Sequence, residues 1–139
     1  SGSSLVLLET KTASSDGTLS FTSGIDSTYK EYIFKYVNVH PASNNVDFQF
    51  NMSADSGSNY NVTKTTTTFQ AYLNEGDSAN GLAYGSSRDL AQSTAYQVIM
   101  QDPGSGNDES GTGTLILFDP SNWGDEVFAR CVRYARHTR

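Results

Sequence analysis

The stretch VDFQFNMS, residues 46–53, decides the fold because apolar and polar side chains alternate in it without a break. Its apolar positions are Val46, Phe48, Phe50 and Met52, and a polar residue follows each of them. Successive side chains of an extended chain point to opposite faces, so this alternation is typical of a strand with one face in a core and one in water. The sequence therefore predicts a half-buried β-strand.

Further segments are rich in the β-branched and aromatic residues that favour strands. They are residues 4–10, 18–22, 29–39, 62–73, 95–100 and 113–119. The connections are polar, with a turn-forming stretch at 54–61 and long loops at 74–94 and 101–113. Helical spacing is hard to find before residue 126. The pattern predicts one all-β domain, residues 1–139, built as an antiparallel β-sandwich or its jelly-roll form with long polar loops.

The segment YKEYIFKYVNVHP, residues 29–41, carries apolar side chains on both faces of an extended chain. The aliphatic residues on one face are Ile33, Val37 and Val39. The aromatic residues on the other face are Tyr32, Phe34 and Tyr36. If the aliphatic face lines the core, the aromatic face needs another cover, from a long loop or from a neighbouring subunit. Because aromatic residues are favoured at interfaces, we predict that this face is a subunit contact in a homo-oligomer.

Charge is unevenly distributed in this chain of net charge −6. Residues 1–125 carry fourteen acidic and five basic side chains, a net charge of −9, whereas residues 126–139 have a net charge of +3. An acidic body disfavours nucleic acid as a partner, because phosphate binding needs a basic face.

The basic segment 126–139 has an arginine at every third position, at Arg130, Arg133, Arg136 and Arg139. This spacing suits a stripe on a short helix, and the apolar residues between the arginines equally suit a last strand. An exposed basic stripe would dock on an acidic neighbour, so Arg130, Arg133 and Arg136 are predicted interface residues. The alternative is a solvated end of the domain.

The sequence has no pattern that indicates catalysis or metal binding. Its two histidines, His40 and His137, have no companion cysteine or glutamate at close spacing, and Cys131 is the only cysteine. It has neither a nucleophile elbow nor a phosphate-binding loop, and most of its acidic residues lie in turns. No apolar run approaches the roughly 20 residues that cross a bilayer. We expect no enzymatic activity, no cofactor, no metal and no membrane insertion.

Two longer stretches carry a resemblance, SGIDSTYKEYIFKYVNVHP at 23–41 and SADSGSNYNVTKTTTT at 53–68. Through about residue 121 the chain resembles a poorly characterised group of structural proteins of tailed bacteriophages, many of them marine. The resemblance implies a jelly-roll-like β-sandwich in a virion and, by analogy with many jelly-roll virion proteins, a trimer. Members of the group continue beyond the corresponding point, which implies that the sandwich here is abbreviated, truncated or completed by a partner.

Two functions follow as expectations from the resemblance and the loops. In the first, the protein is a virion assembly subunit, either a capsid decoration protein or part of a tail fibre, whose partners are itself and other virion proteins. In the second, the long loops recognise a host-surface glycan through Tyr84, Asn107 and Asp108. We favour assembly, because the aromatic residues of 29–39 lie on a strand.

Overall fold

The computed structural model describes residues 4–74, 76–122 and 128–136. Within these ranges the chain forms β-strands and no helix, as the period-two pattern predicted. The strands in chain order are β1 Glu31–Val39, β2 Phe48–Phe50, β3 Phe69–Leu73, β4 Asn80–Tyr84, β5 Gln97–Met100, β6 Gly111–Phe118 and β7 Phe128–Arg136. Hydrogen bonds join them into a sheet in the order β1-β6-β7 and two pairs, β2-β5 and β3-β4. All these pairings are antiparallel, as predicted. With strands and no helix in the described residues, the all-β class is confirmed.

The largest sheet places β6 between β1 and β7. On one side of β6, Leu117 pairs with Tyr32 and Leu115 pairs with Phe34. On the other side Leu115 pairs with Cys131, and the pairing extends along the whole of β7. The sequence left a short helix and a last strand open for the basic segment, and residues 128–136 form the strand.

The structure reverses the predicted faces of β1. Tyr32 is only 4% exposed and forms the core with Met52, Leu115 and Leu117. By contrast Ile33 and Val37, assigned to the core, are 38% and 72% exposed, and only Val39, beyond the register shift in β1, is half-buried. The predicted subunit contact through Tyr32 is therefore wrong, because a side chain buried within its own chain offers almost no surface to a partner.

The chain itself covers the aromatic face of β1. Phe34 is half-buried and packs edge-on against Phe21, with ring centroids 5.5 Å apart. Tyr36 is also half-buried and lies 5.1 Å from the ring of Phe48. Of the two covers considered from the sequence, the intramolecular one is present.

A signal for this orientation was present in the sequence. Glu31 and Lys35 share the parity of Ile33 and Val37, so the aliphatic face carries two charges, whereas the aromatic face of the same strand carries none. Charged side chains are almost never fully buried without a partner, so this face belongs in water. Both charged residues are exposed.

Three predicted strands differ from those observed. Residues 4–10 and 18–22 lie in no strand, and the predicted strand 62–73 is regular only over β3. Residues 80–84, which lay within a predicted loop, form β4 instead. The prediction for 46–53 is confirmed at β2, although the regular part is short and the pairing register shifts between Phe48 and Gln49.

Candidate assembly surface

The hairpin of β3 and β4 has one face that is apolar and exposed. In its register Phe69 lies opposite Tyr84, Ala71 opposite Leu82 and Leu73 opposite Asn80. Residues directly opposite each other in an antiparallel pair share a face, as do alternate residues of one strand. The large residues of this face are Phe69, Leu73, Leu82 and Tyr84. Their exposed fractions lie between 61% and 75%, so the face is uncovered in the single chain.

The opposite face of the hairpin is partly covered. Gln70 and Ala83 are paired on it and are both half-buried. The ring of Tyr72 lies over Gly81, where an added Cβ would come within 3.3 Å of the ring. The burial of the hairpin is thus one-sided, with its larger apolar side chains on the uncovered side.

Local side-chain chemistry forms the turn of the hairpin. The amide of Asn74 donates to the carbonyl of Ala79 at 2.9 Å, and the side-chain oxygen of Asn74 accepts from the amide of Ala79 at 2.9 Å. Asn side chains favour turns because they hydrogen-bond nearby backbone in this manner. Asp77 adopts a positive φ of 50°, a conformation that Asp and Asn tolerate better than most residues.

Backbone pairing continues below the hairpin and joins it to the rest of the chain. The amide of Gly85 donates to the carbonyl of Thr68 at 2.6 Å, and the amide of Thr66 donates to the carbonyl of Leu90 at 2.8 Å. Further down, Lys64 and Ser93 exchange two backbone hydrogen bonds of 2.8 and 2.9 Å. The hairpin is therefore the outer end of a longer ribbon.

The base of this ribbon is polar and buried. The ammonium group of Lys64 donates to the side-chain oxygen of Asn51 at 2.5 Å and to the carbonyl of Val62 at 2.7 Å. Burial lowers the pKa of Lys64, because the charged form loses its hydration. The hydroxyl of Thr66 donates to the side-chain oxygen of Gln97, on β5, at 2.5 Å. These contacts tie the ribbon to the β2-β5 pair.

A cleft of about 160 Å³ opens beside the ribbon. Its polar lining includes Gln70, Tyr84, Arg88 and Gln101. The guanidinium of Arg88 lies 3.9 Å from the carboxylate of Asp102, and its Nε is buried without a hydrogen-bond partner in the described part of the chain. The cleft therefore holds one incompletely bonded cation.

Tyr84 is the only predicted glycan-binding residue that lines this cleft. Its hydroxyl donates to the carboxylate of Asp89, and this hydrogen bond raises the pKa of Tyr84. Asn107 and Asp108 are exposed in the 101–110 loop and do not line the cleft. The structure thus does not bring the three residues together at this cleft.

For the predicted basic interface, the structure describes the backbone pairing of three arginines. Arg130, Arg133 and Arg136 lie on β7, where they pair with Ile116, Thr114 and Gly111 of β6. Their side chains lie outside the described part of the structure, as does Arg139.

Within residues 4–74, 76–122 and 128–136, no three histidine, cysteine, aspartate or glutamate side chains cluster closely enough to hold a metal ion. Over the same residues, no helix has the length and apolar character needed to cross a bilayer.

Comparison with known proteins finds no match: no protein-family model, no curated protein and no solved structure is significantly similar to this chain.

Sequence reasoning missed the apolar face of the hairpin. Phe69, Ala71 and Leu73 alternate with Gln70 and Tyr72, which predicts the strand but leaves open which side is covered. Leu82 and Tyr84 lie within residues 74–94, which the sequence predicts to be a long polar loop. The alternation of Gly81 and Ala83 with Leu82 and Tyr84 was the available signal.

Proposed function

We propose that this protein is a non-enzymatic structural subunit of a tailed-bacteriophage virion, which acts in capsid decoration or in a tail fibre. The proposed complete fold is a jelly-roll-like β-sandwich, and the proposed location is the virion. The observation that supports assembly is the uncovered apolar face of the β3-β4 hairpin. The phage assignment is supported by the sequence resemblance described above.

The hairpin face has the physical character of a protein contact. A two-stranded hairpin is marginally stable by itself in water, and contiguous exposed apolar patches often mark interaction sites. Covering Phe69, Leu73, Leu82 and Tyr84 would contribute roughly 1–2 kcal/mol for each side chain, given their present exposure. Binding of a partner to this face would therefore also stabilise the hairpin.

We assign this surface to a second copy of the chain on the basis of charge. The sequences of β3 and β4, FQAYL and NGLAY, contain no charged residue. Each copy has a net charge of −6, so two copies repel each other over most of their surfaces. The uncharged hairpin face is a place where they meet without bringing like charges together.

A pair of matched substitutions tests the assembly surface. Leu82→Ser removes a leucine that is 75% exposed on the hairpin, and Val37→Ser removes a valine of similar exposure on β1. In sedimentation velocity, Leu82→Ser should weaken self-association about tenfold, and Val37→Ser should leave it unchanged. A wild-type chain that sediments as a monomer at tens of micromolar would contradict the proposal.

The virion location has a separate test. Mass spectrometry of purified particles of the encoding phage should detect this chain at a constant copy number. Density for the chain on the head surface or on the tail would then separate decoration from a tail fibre. If the chain is absent from purified particles, the virion role is wrong even where self-association is observed.

The cleft favours host-surface glycan recognition as a second candidate function. An exposed tyrosine stands there beside Gln70, Gln101 and the incompletely bonded Arg88. Aromatic faces with nearby amide groups suit sugars, and the arginine suits one that carries a carboxylate. Binding of an acidic oligosaccharide, measured by calorimetry, should be lost in Arg88→Ala and kept in Asn107→Ala. If both variants bind as the wild type does, the cleft is not the site.

A further inference from the structure

Residues 4–12, SLVLLETKT, form an exposed apolar segment outside all the strands. The side chains of Leu5, Val6, Leu7 and Leu8 have exposed fractions between 49% and 81%. Within the described part of the chain, residues 4–12 make no backbone hydrogen bond. Local sequence favours a strand here, because the segment is rich in apolar residues and bounded by polar ones. The sequence of this segment therefore favours a strand, but within the described residues no other strand pairs with it.

The C-terminal end of this segment contacts the rest of the chain through Lys11. The ammonium group of Lys11 lies 5.4 Å from the ring centroid of Phe21, and it also lies 3.2 Å from the carboxylate of Glu9. Phe21 in turn packs against Phe34 of β1. From Lys11, the six residues back to Leu5 span at most about 20 Å when extended. The apolar part can thus reach a neighbouring molecule while its base stays attached.

The β3-β4 hairpin, in contrast, has strand edges to which a further strand can add. It is a sheet of two strands, so each strand has one edge with no neighbour in its sheet. Such edges present unpaired amide and carbonyl groups and readily accept an added strand. Within the described residues, the chain therefore has an apolar segment outside any sheet and a two-stranded sheet with free edges.

We propose that residues 4–8 of one copy add as a third strand to the β3-β4 hairpin of a neighbouring copy. Leu5 and Leu7 share a parity and lie on the apolar face of that hairpin, beside its exposed aromatic and leucine side chains. Both elements are uncharged, since Ser4–Leu8 contains no charged residue and neither do β3 and β4. The inference rests on the proposed assembly function and specifies the segment through which copies join.

The contact combines backbone pairing with apolar packing. Leu5 and Leu7 lie on the same face as the four large apolar side chains of the hairpin, whereas Val6 and Leu8 lie on the opposite face of the added strand. A reciprocal exchange between two copies contains two such contacts, and a ring of copies gives each chain the same two.

The first experiment compares two double variants of the full chain. Leu5→Ser with Leu7→Ser removes the apolar side chains from one face of the segment. Thr10→Ser with Thr12→Ser is the control in the same segment. The leucine variant should raise the dissociation constant of the oligomer at least about a hundredfold, and the threonine variant should not change it. Hydrogen exchange should show loss of amide protection in β3 or β4 only in the leucine variant.

The second experiment shows whether the contact is between copies. On a Cys131→Ser background, one chain carries Leu7→Cys and a separate chain carries Leu73→Cys. Mixed and oxidised, the two should form a disulfide-linked heterodimer, and a Leu19→Cys chain in place of Leu7→Cys should not.

The outcomes separate this inference from the assembly proposal. If the wild-type chain self-associates but the leucine variant keeps both its association and its hairpin protection, the strand exchange is wrong and assembly stands. If Leu7→Cys and Leu73→Cys in one chain link within that chain, the segment covers its own hairpin and the exchange is again wrong. A monomeric wild-type chain overturns both proposals.

Discussion

The hydroxyl of Tyr32 donates a hydrogen bond of 2.8 Å to the backbone carbonyl of Asp26 and accepts one of 3.0 Å from the amide of the same residue. These two hydrogen bonds explain how the aromatic face of β1 can face the core although Tyr32 carries a polar hydroxyl. The ring of Tyr32 fills the core beside Leu115 and Leu117, and its hydroxyl binds the turn that precedes β1. A buried tyrosine is stable where its hydroxyl finds such partners.

Removing this hydroxyl should destabilise the monomer by a modest amount. In Tyr32→Phe the backbone groups of Asp26 lose their partner, and we expect a loss of about 1 kcal/mol. Tyr32→Ala should cost about 3–5 kcal/mol because it also leaves a cavity. Urea unfolding should give both values at any protein concentration, and Tyr72→Phe, on the exposed hairpin, serves as the control. A cost for Tyr32 that grows with protein concentration would instead support a subunit contact.

A side chain at Gly111 should destabilise the fold. A Cβ at this position of β6 would overlap the sulfur of Met100, which is fully buried. We expect Gly111→Ala to cost about 1–3 kcal/mol in unfolding free energy, since overpacking forces buried side chains from their rotamers. Gly17→Ala is the control, because nothing lies within 4 Å of its added Cβ. Combining Gly111→Ala with Met100→Ala should cost less than the sum of the two single changes; strict additivity would refute the predicted clash.

Lys64 should make stability rise with pH in the alkaline range. Burial holds its folded pKa below the ordinary 10.5, so between the two values the unfolded chain binds more protons than the folded chain. Folding is therefore increasingly favoured as pH rises through this window. Lys64→Met has no such group, so the stability of the wild type relative to this variant should increase from neutral pH to about pH 10. A constant difference between the two chains would contradict this prediction.

Asp55 should make the 53–59 turn sensitive to acid. Its carboxylate accepts hydrogen bonds from the hydroxyl of Ser53 at 2.6 Å and from the side chain and amide of Asn59 at 2.6 and 2.8 Å. These bonds, that of Ser53 first, lower the pKa of Asp55 from 3.8 to about 2. Their contribution is complete above the unfolded value and is lost as pH falls toward the folded value.

We expect the wild type to be more stable than Asp55→Asn at neutral pH, and this difference to shrink as pH falls below about 4. Chemical shifts of Asn59 should follow the same titration. A difference that persists unchanged to about pH 2 would show that the carboxylate charge is not what holds the turn.

The sequence by itself determined the local structure. Alternation of apolar and polar side chains is a property of a few consecutive residues, and it correctly predicted the all-β class and the strand around Phe48. Turn chemistry is equally local, as the side-chain bonds of Asn74 and Asp55 show. Period-two patterning identifies two faces, however, and says little about what covers each.

Only the tertiary structure decided pairing and burial, because both depend on residues far apart in the chain. The apolar segment at 4–8 suits a strand as well as β1 does, yet β1 pairs with β6 and the segment pairs with nothing in the described chain. Tyr32 is a core residue because Leu115 and Leu117 meet it across more than eighty residues of sequence, and Phe69 is a surface residue because no such partner reaches it. A strand's free energy comes mainly from its hydrogen-bonded neighbours and the surface they cover together, and a single segment contains neither.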